Sequence, residues 1–200
     1  MNQKYNVILL HGRWPEKIDG KLIVDIPLCN PNNGGNWMGW TKEHLETNGY
    51  SVVCPIIPDA WKAPYEEWKA QLDALDINEN TILVGLSAGG YALLRWVGES
   101  GKRVKKVILV APASQQYEVG LVREKLPFED EFYTYEISPS LAAQIQEPVV
   151  IIVSNDDEVV GRSFEGYIPV LGARVIELEG RGHFSFLMPQ LPELLEEMQR

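Results

Sequence analysis

Short apolar segments alternate with amphipathic segments along the whole chain, and this alternation limits the folds open to it. The apolar segments are rich in β-branched residues and predict strands at residues 6–10, 51–55, 81–85, 106–110, 149–154 and 174–178. The amphipathic segments predict helices at residues 37–48, 64–75, 88–98, 139–145, 162–171 and 191–199. Strands that are apolar throughout suit a sheet covered on both faces, and strand-helix alternation implies parallel crossovers. The pattern therefore predicts a three-layer α/β/α sandwich around a mainly parallel sheet of about six strands.

One segment, residues 13–35, departs from this alternation. Residues 21–27 predict an additional strand, and the sequence Asn30-Pro-Asn-Asn-Gly-Gly35 is typical of turns. We therefore interpret residues 13–35 as an inserted hairpin or flap within a single domain that spans residues 1–200. The insert leaves the carboxyl end of the first strand, where open α/β sheets bind ligands. It either overhangs that site or forms a solvent-facing excursion without a role.

The charge balance argues against a nucleic-acid partner. The chain carries 28 acidic and 18 basic residues, a formal net charge of −10 at pH 7, and such a surface repels phosphate backbones. No apolar run approaches the roughly 18 residues that cross a membrane, and the N-terminal residues lack the apolar core of a secretion signal. We therefore expect no membrane contact and a cytoplasmic location. Cys29 and Cys54 lack C-x-x-C spacing, which predicts free thiols rather than a disulfide.

The sequence Gly85-Leu86-Ser87-Ala88-Gly89 lies where a predicted strand meets a predicted helix. Glycines two positions before and two positions after the serine allow the backbone to turn sharply, so that the Ser87 hydroxyl projects above the sheet. Ser87 is therefore the candidate nucleophile. A serine hydroxyl needs a base in contact with its oxygen and a third group that orients this base.

Three histidines are the candidate bases. His44 lies within a predicted helix, and His11 ends the first predicted strand, where it is expected to brace the following loop. His183 lies in a glycine-bounded loop after the last predicted strand and therefore reaches the carboxyl edge of the sheet. We predict that His183 is the base. The three histidines are dispersed and lack the spacing of metal ligands, so neither a metal nor a cofactor is predicted.

The orienting acid is expected in the loop that follows the strand at residues 149–154. This loop provides Asp156, Asp157 and Glu158. The chain order of serine, acid and histidine is the order of the α/β-hydrolases and differs from the two other well-known triad orders. On this reasoning alone, the choice between Asp156 and Asp157 stays open.

Two backbone N–H groups are expected to bind the oxyanion that forms when Ser87 attacks a carbonyl carbon, and each lowers the barrier by about 3 kcal/mol. The Ala88 N–H lies at the start of the predicted helix, where the helix dipole assists it. The second donor is expected in the loop after the first strand. It is the N–H of Arg13 or, failing that, of Trp14.

Four motifs together resemble the α/β-hydrolase superfamily: Leu9-Leu-His-Gly12, Gly85-Leu-Ser-Ala-Gly89, Ser154-Asn-Asp-Asp-Glu-Val-Val160 and Gly182-His-Phe184. Over nearly the whole chain, the sequence is similar to the small, lidless serine hydrolase family that includes retinoblastoma-binding protein nine and its bacterial relatives. The resemblance implies that Ser87 is the nucleophile and His183 the base. The family's acid lies in an Asp-x-x-Val/Leu-Pro pattern that falls on Asp157. Gly161 stands where the family has proline, and the insert after Gly12 is longer than the family's loop.

The resemblance and the candidate triad imply a serine hydrolase of the carboxylesterase type. It is expected to act on small carboxylic esters, and secondarily on amides, through an acyl-enzyme. The expected partner is a small-molecule acyl substrate. Trp14 and Trp61 are candidate substrate contacts because both lie in segments that leave strand ends. Two alternatives stay open: a non-catalytic or slow-turnover binding protein with this fold, and an acyltransferase with the same triad.

Overall fold

The computed structural model describes residues 5–114 and 129–200. In these ranges the strands are β1 (Asn6–Leu10), β2 (Lys17–Ile18), β3 (Lys21–Leu22), β4 (Ser51–Val53), β5 (Thr81–Leu86), β6 (Lys106–Val110), β7 (Val150–Ser154) and β8 (Arg174–Leu178). The α-helices are α1 (Trp37–Thr47), α2 (Tyr65–Asp73), α3 (Ala88–Ser100), α4 (Glu129–Phe132), α5 (Pro139–Ala142), α6 (Tyr167–Leu171) and α7 (Pro192–Met198). Six strands form one sheet in the order β4-β1-β5-β6-β7-β8, and every neighbouring pair in it is parallel. The predicted parallel sheet is confirmed.

Helices cover both faces of this sheet because side chains alternate along each strand. In β1, Ile8 and Leu10 belong to a core that also contains side chains of α2, α3, α5 and α6. Val7 and Leu9 belong to a second core, which contains side chains of α1 and α7. The sheet and the helices on its two faces form the three predicted layers. The loops at the carboxyl ends of the strands lie together at one edge of the sheet.

The predicted helix at residues 162–171 is only partly an α-helix. A 3₁₀ turn occupies Ser163–Gly166, and α6 begins at Tyr167. Pro169 explains the break, because a proline removes a backbone hydrogen bond from a helix interior but is tolerated in the first turn. The other five predicted helices begin within one residue of the observed ones.

The insert at residues 13–35 begins with a small hairpin, in which β2 and β3 pair in antiparallel orientation. Its turn residues Asp19 and Gly20 both have positive φ, which is the geometry of a tight two-residue hairpin turn. The strand predicted at residues 21–27 is wrong beyond Leu22, because two 3₁₀ turns follow between residues 23 and 29. Pro27 lacks the N–H that a longer paired strand would use.

The two cysteines, Cys29 and Cys54, are buried free thiols, as the sequence predicted. No helix in the two described ranges is both long and apolar enough to cross a membrane. The cytoplasmic location stays a prediction.

Candidate active site

Ser87 occupies a strained turn between β5 and α3. Its backbone has φ 52° and ψ −121°, a conformation that residues other than glycine rarely adopt. The Ser87 N–H donates to Val110 O at 2.9 Å, and the Ser87 carbonyl oxygen accepts from the N–H groups of Gly90 at 3.0 Å and Ala113 at 3.2 Å. These hydrogen bonds hold the turn, so Ser87 lies at the carboxyl edge of the sheet at the end of a buried strand.

Close backbone approaches require the glycines around this turn. A Cβ atom at residue 85 would lie 2.5 Å from Gly90 Cα, and one at residue 89 would lie 2.3 Å from His11 O. A Cβ atom at Gly12 would lie 2.9 Å from Ser87 Cβ. Side chains do not tolerate contacts this short. Glycine at these positions therefore lets β5, α3 and the loop after β1 meet at the serine.

His183 and Asp157 form a hydrogen-bonded pair in the loops that follow β8 and β7. His183 Nδ1 lies 2.8 Å from Asp157 Oδ2. The Asp157 side chain is only 2% exposed, and its Oδ1 accepts the N–H groups of Val159 at 2.9 Å and Val160 at 3.1 Å. Because a carboxylate accepts at Nδ1, that nitrogen carries the proton and Nε2 keeps its lone pair. The pair thus prepares His183 Nε2 to accept a proton.

Asp156 contacts the backbone of the loop that carries His183. Its Oδ1 accepts the Ser154 hydroxyl at 2.5 Å and the Gly182 N–H at 2.9 Å, and these hydrogen bonds, with that from Ser154 the stronger, hold the pKa of the Asp156 carboxyl below its usual range. Two further side-chain oxygens accept N–H groups of this loop: Ser154 Oγ from Arg181 at 2.9 Å, and Asn155 Oδ1 from Gly180 at 3.2 Å. Asp156 therefore holds the loop, whereas its neighbour holds the imidazole ring.

Ser87 and His183 line the same cavity, whose volume is about 160 Å³. Most of its other lining residues are apolar or aromatic: Trp14, Pro15, Cys29, Pro31, Trp37, Met38, Leu86, Phe184 and Phe186. Within the described residues, no hydrogen bond joins the Ser87 hydroxyl to the His183 ring. Catalytic hydrogen bonds are often long before substrate binds and shorten in the complex. The cavity thus joins a candidate nucleophile and a candidate base to an apolar pocket.

His11 braces the loop beside this cavity. Its Nε2 accepts the Ile57 N–H at 3.0 Å, so Nδ1 carries the proton and donates to Gly12 O at 2.7 Å. The ring also stacks on Trp14, with ring centroids 3.9 Å apart. Complete burial lowers the pKa of His11 to about 4. With both nitrogens engaged, His11 is a neutral structural group and not a second base.

This depressed pKa predicts that acid destabilises the protein. The pKa of His11 is about 4 in the folded chain and 6.5 as its ordinary value, so the unfolded chain binds the proton more tightly between these values. His11 alone should therefore lower the free energy of unfolding by about 3 kcal/mol as pH falls from 7 to 4. Urea unfolding at pH 7 and pH 4 measures this loss in free energy of unfolding. The loss should be smaller by this amount in His11→Gln than in wild type. In His44→Gln, at an exposed position, it should equal that of wild type. Equal losses in all three proteins would contradict this assignment.

The predicted oxyanion donors lie at the start of α3 and in the loop after β1. Ala88 is the first residue of α3, and the first N–H groups of a helix have no acceptor within the helix. Arg13 is one of the residues that line the cavity. Its guanidinium donates to Ala60 O at 3.0 Å and Ala63 O at 2.8 Å. The Arg13 side chain is thus hydrogen-bonded to the 60–63 segment. The Arg13 backbone N–H is the candidate oxyanion donor.

The structure separates the two tryptophans that the sequence singled out. Trp14 lines the cavity and is partly buried against His11. Trp61 is not among the lining residues, and its ring lies 5.9 Å from Lys62 Nζ instead. The remaining histidine, His44, lies on the exposed face of α1, where its Nδ1 is 2.9 Å from Trp40 O.

Several lining residues were not predicted from the sequence, among them Cys29, Pro31, Met38 and Phe186. Cys29 and Pro31 belong to the insert. Its position at the sheet edge depends on hydrogen bonds between residues far apart in the local pattern, and the sequence does not predict these bonds. Phe186 follows the candidate base His183 by three residues, and this proximity in sequence is the one signal that could have identified it.

A family model described as serine hydrolase matches residues 31–188. No curated protein matches the sequence. The ydeN gene product from B. subtilis is similar in structure, with a TM-score of 0.76 and 21% identity over 98% of this chain and 97% of that one. MGS-MChE2, an α/β-hydrolase enzyme from a lagoon-sediment metagenome of Mar Chica, Morocco, has a TM-score of 0.63 and 18% identity over 98% and 90%. Carboxylesterase CesB (YbfK) from Bacillus subtilis has a TM-score of 0.58 and 15% identity over 100% and 83%. The fold is therefore a shortened α/β-hydrolase fold.

Proposed function

We propose that this chain, which belongs to the serine hydrolase family, hydrolyses small carboxylic esters through an acyl-enzyme on Ser87. The main support for this proposal is that Ser87 lines the same cavity as His183, whose ring is hydrogen-bonded to Asp157. Ser87 Oγ attacks the ester carbonyl carbon while His183 Nε2 takes the hydroxyl proton. His183 then gives this proton to the leaving alcohol oxygen. Water attacks the acyl-enzyme in the same way, and the proton returns to Ser87 Oγ.

Asp157 and the backbone donors complete this mechanism. The buried Asp157 carboxylate holds the imidazole in the productive tautomer and stabilises the imidazolium that forms during transfer. The N–H groups of Ala88 and Arg13 stabilise the negative carbonyl oxygen. Trp14 N–H is the alternative second donor. Each such donor is worth about 3 kcal/mol of barrier reduction.

The cavity suggests a small, apolar acyl group. An apolar cavity of about 150 Å³ holds a molecule of the size of benzene. The cavity beside Ser87, at about 160 Å³, has room for an acyl chain of comparable size. Long-chain esters would extend beyond it.

A panel of p-nitrophenyl esters tests this function. We expect the wild-type protein to hydrolyse the acetate and butyrate, with kcat/KM for the octanoate lower by about a hundredfold because the excess methylenes do not fit. Release of free carboxylic acid identifies transfer to water. Acylation of an added alcohol or amine in excess of free acid would favour an acyltransferase, and no turnover of any ester or of p-nitroacetanilide would favour a binding protein.

The two neighbouring acids should differ sharply in their effect on this activity. Asp157→Asn should lower kcat by about ten-thousandfold, because an amide no longer holds the His183 tautomer. Asp156→Asn should lower it by less than about tenfold, because asparagine keeps an oxygen for the Gly182 N–H. Steady-state kinetics of both variants on p-nitrophenyl acetate check this. A larger loss in Asp156→Asn would assign the acid to the preceding residue.

A further inference from the structure

The insert at residues 13–35 supplies no group to the chemistry above apart from the candidate backbone donors at its start, yet it meets the cavity that contains Ser87. Pro15, Cys29 and Pro31 of the insert line this cavity. We propose that the insert forms the wall that sets acyl specificity, and that the Cys29 side chain limits the length of the acyl group. The proposal rests on the esterase function proposed above.

Asn36 fixes the insert against α1. Its buried side-chain nitrogen donates to Leu28 O at 2.9 Å and to Asn30 O at 2.7 Å. Its side-chain oxygen accepts the N–H groups of Met38 at 3.0 Å and Gly39 at 3.1 Å. The amide thus uses both donor hydrogens and both acceptor sites. The segment from residue 28 to residue 30, which contains Cys29, therefore has a fixed position relative to the first turn of α1.

The first turn of α1 is in turn bonded to the loop that carries the base. Trp37 Nε1 donates to Phe184 O at 2.9 Å, and the Trp37 N–H donates to Met188 O at 2.8 Å. Trp37 and Phe184 both line the cavity. The consecutive residues Asn36 and Trp37 thus link the Cys29 segment, through side-chain hydrogen bonds on each side, to the residue that follows His183. The wall therefore has a fixed position relative to His183.

The wall selects an uncharged acyl group. Among the described residues that line the cavity, Arg13 is the one with a permanent charge, and its guanidinium donates to Ala60 O and Ala63 O. The Arg13 guanidinium also lies 4.3 Å from the centroid of the Phe132 ring, which is buried. A carboxylate or ammonium group on the acyl chain would lose its hydration without gaining a dedicated partner. The expected acyl group is therefore short and neutral.

Cys29 is the position at which the wall can be altered with little change to the backbone. Of the other insert residues that line the cavity, Pro15 and Pro31 have fixed φ angles, and Arg13 and Trp14 are the candidate backbone donors. Cys29 is 3% exposed, and burial raises the pKa of its thiol, so it is a small neutral side chain at ordinary pH. Cys54 is buried to a similar degree, at 5% exposure, but is not a lining residue of the cavity. It provides a matched control.

The test compares kcat/KM for p-nitrophenyl hexanoate with that for p-nitrophenyl acetate in four proteins: wild type, Cys29→Ala, Cys29→Leu and Cys54→Ala. Removing the Cys29 sulfur should raise the hexanoate-to-acetate ratio by about tenfold, because one methylene-sized space in an apolar pocket has about this effect. The larger leucine side chain should lower the ratio by a similar factor. Cys54→Ala should keep the wild-type ratio, and thermal unfolding shows that each variant is folded.

Opposite shifts in the two Cys29 variants would support the proposal, even if one of them were less stable. Wild-type ratios in both folded Cys29 variants, with acetate hydrolysis intact, would overturn it while leaving the esterase function in place. A shift of the same size in Cys54→Ala would also overturn it, because the effect would then be one of general core packing. Absence of acetate hydrolysis in the wild type would instead refute the esterase function itself.

Discussion

Replacing Ser87 with alanine is expected to lower kcat for p-nitrophenyl acetate by about a millionfold, because removal of a triad nucleophile removes the whole covalent pathway. The stability of the protein should hardly change. Ser87 makes its hydrogen bonds to Val110, Gly90 and Ala113 through its backbone, and alanine retains them. Alanine also meets the same strain at φ 52° as serine does. Initial rates and thermal unfolding of the purified variant measure the two effects.

Ser185 offers a matched control for this substitution. It lines the same cavity, and its hydroxyl oxygen accepts the Leu187 N–H at 3.3 Å. Ser185→Ala should therefore keep kcat within about tenfold of wild type, because this hydroxyl takes no part in proton transfer. If Ser185→Ala lost activity and Ser87→Ala kept it, the nucleophile would be wrongly assigned.

The second large effect is expected from His183→Ala. Without Nε2 the Ser87 proton has no acceptor, so kcat should fall about as far as in the serine variant. Because the substitution also opens space beside Asp157, added imidazole should restore part of the lost rate. Rate measurements with and without imidazole separate loss of the base from loss of the fold.

His44 serves as the control for the second substitution. It is exposed on α1, and its ring contacts Trp40. His44→Ala should keep wild-type kcat. Full activity in His183→Ala, or a loss in His44→Ala that imidazole repairs, would contradict the proposed base.

The alternation of apolar and amphipathic segments was enough to predict the sheet because uniformly apolar strands record burial on both faces directly in the sequence. The six observed strands of the sheet fall on the six predicted segments. The motif around Ser87 was equally informative. Its glycines are required by contacts as close as 2.3 Å to His11 O, and a steric requirement of this kind appears as a residue type at a fixed spacing.

Asp156 and Asp157 show where local sequence stops being informative. Both are carboxylates in the same loop. Asp157 is buried and accepts the N–H groups of Val159 and Val160, whereas Asp156 is exposed. Adjacent positions in a loop point in different directions, and no periodic pattern records which one turns inward. The family resemblance, rather than spacing, favoured the residue that contacts His183.

The insert was the least predictable part of the chain. Its β-branched residues between 21 and 27 resemble a strand, but Pro27 and the hydrogen bonds of Asn36 produce short turns instead. These contacts join residues that local pattern analysis treats separately. For the same reason the sequence did not place Cys29 at the cavity, and it singled out Trp61, which the structure does not bring there.

Labelling with a fluorophosphonate probe, followed by peptide mapping, tests most directly whether His183 activates the Ser87 hydroxyl. We expect a single adduct on Ser87 in the wild-type protein, and labelling slower by at least about a thousandfold in folded His183→Ala, since an unactivated hydroxyl reacts poorly. An adduct on another residue, or labelling of Ser87 at the wild-type rate without the imidazole, would contradict it.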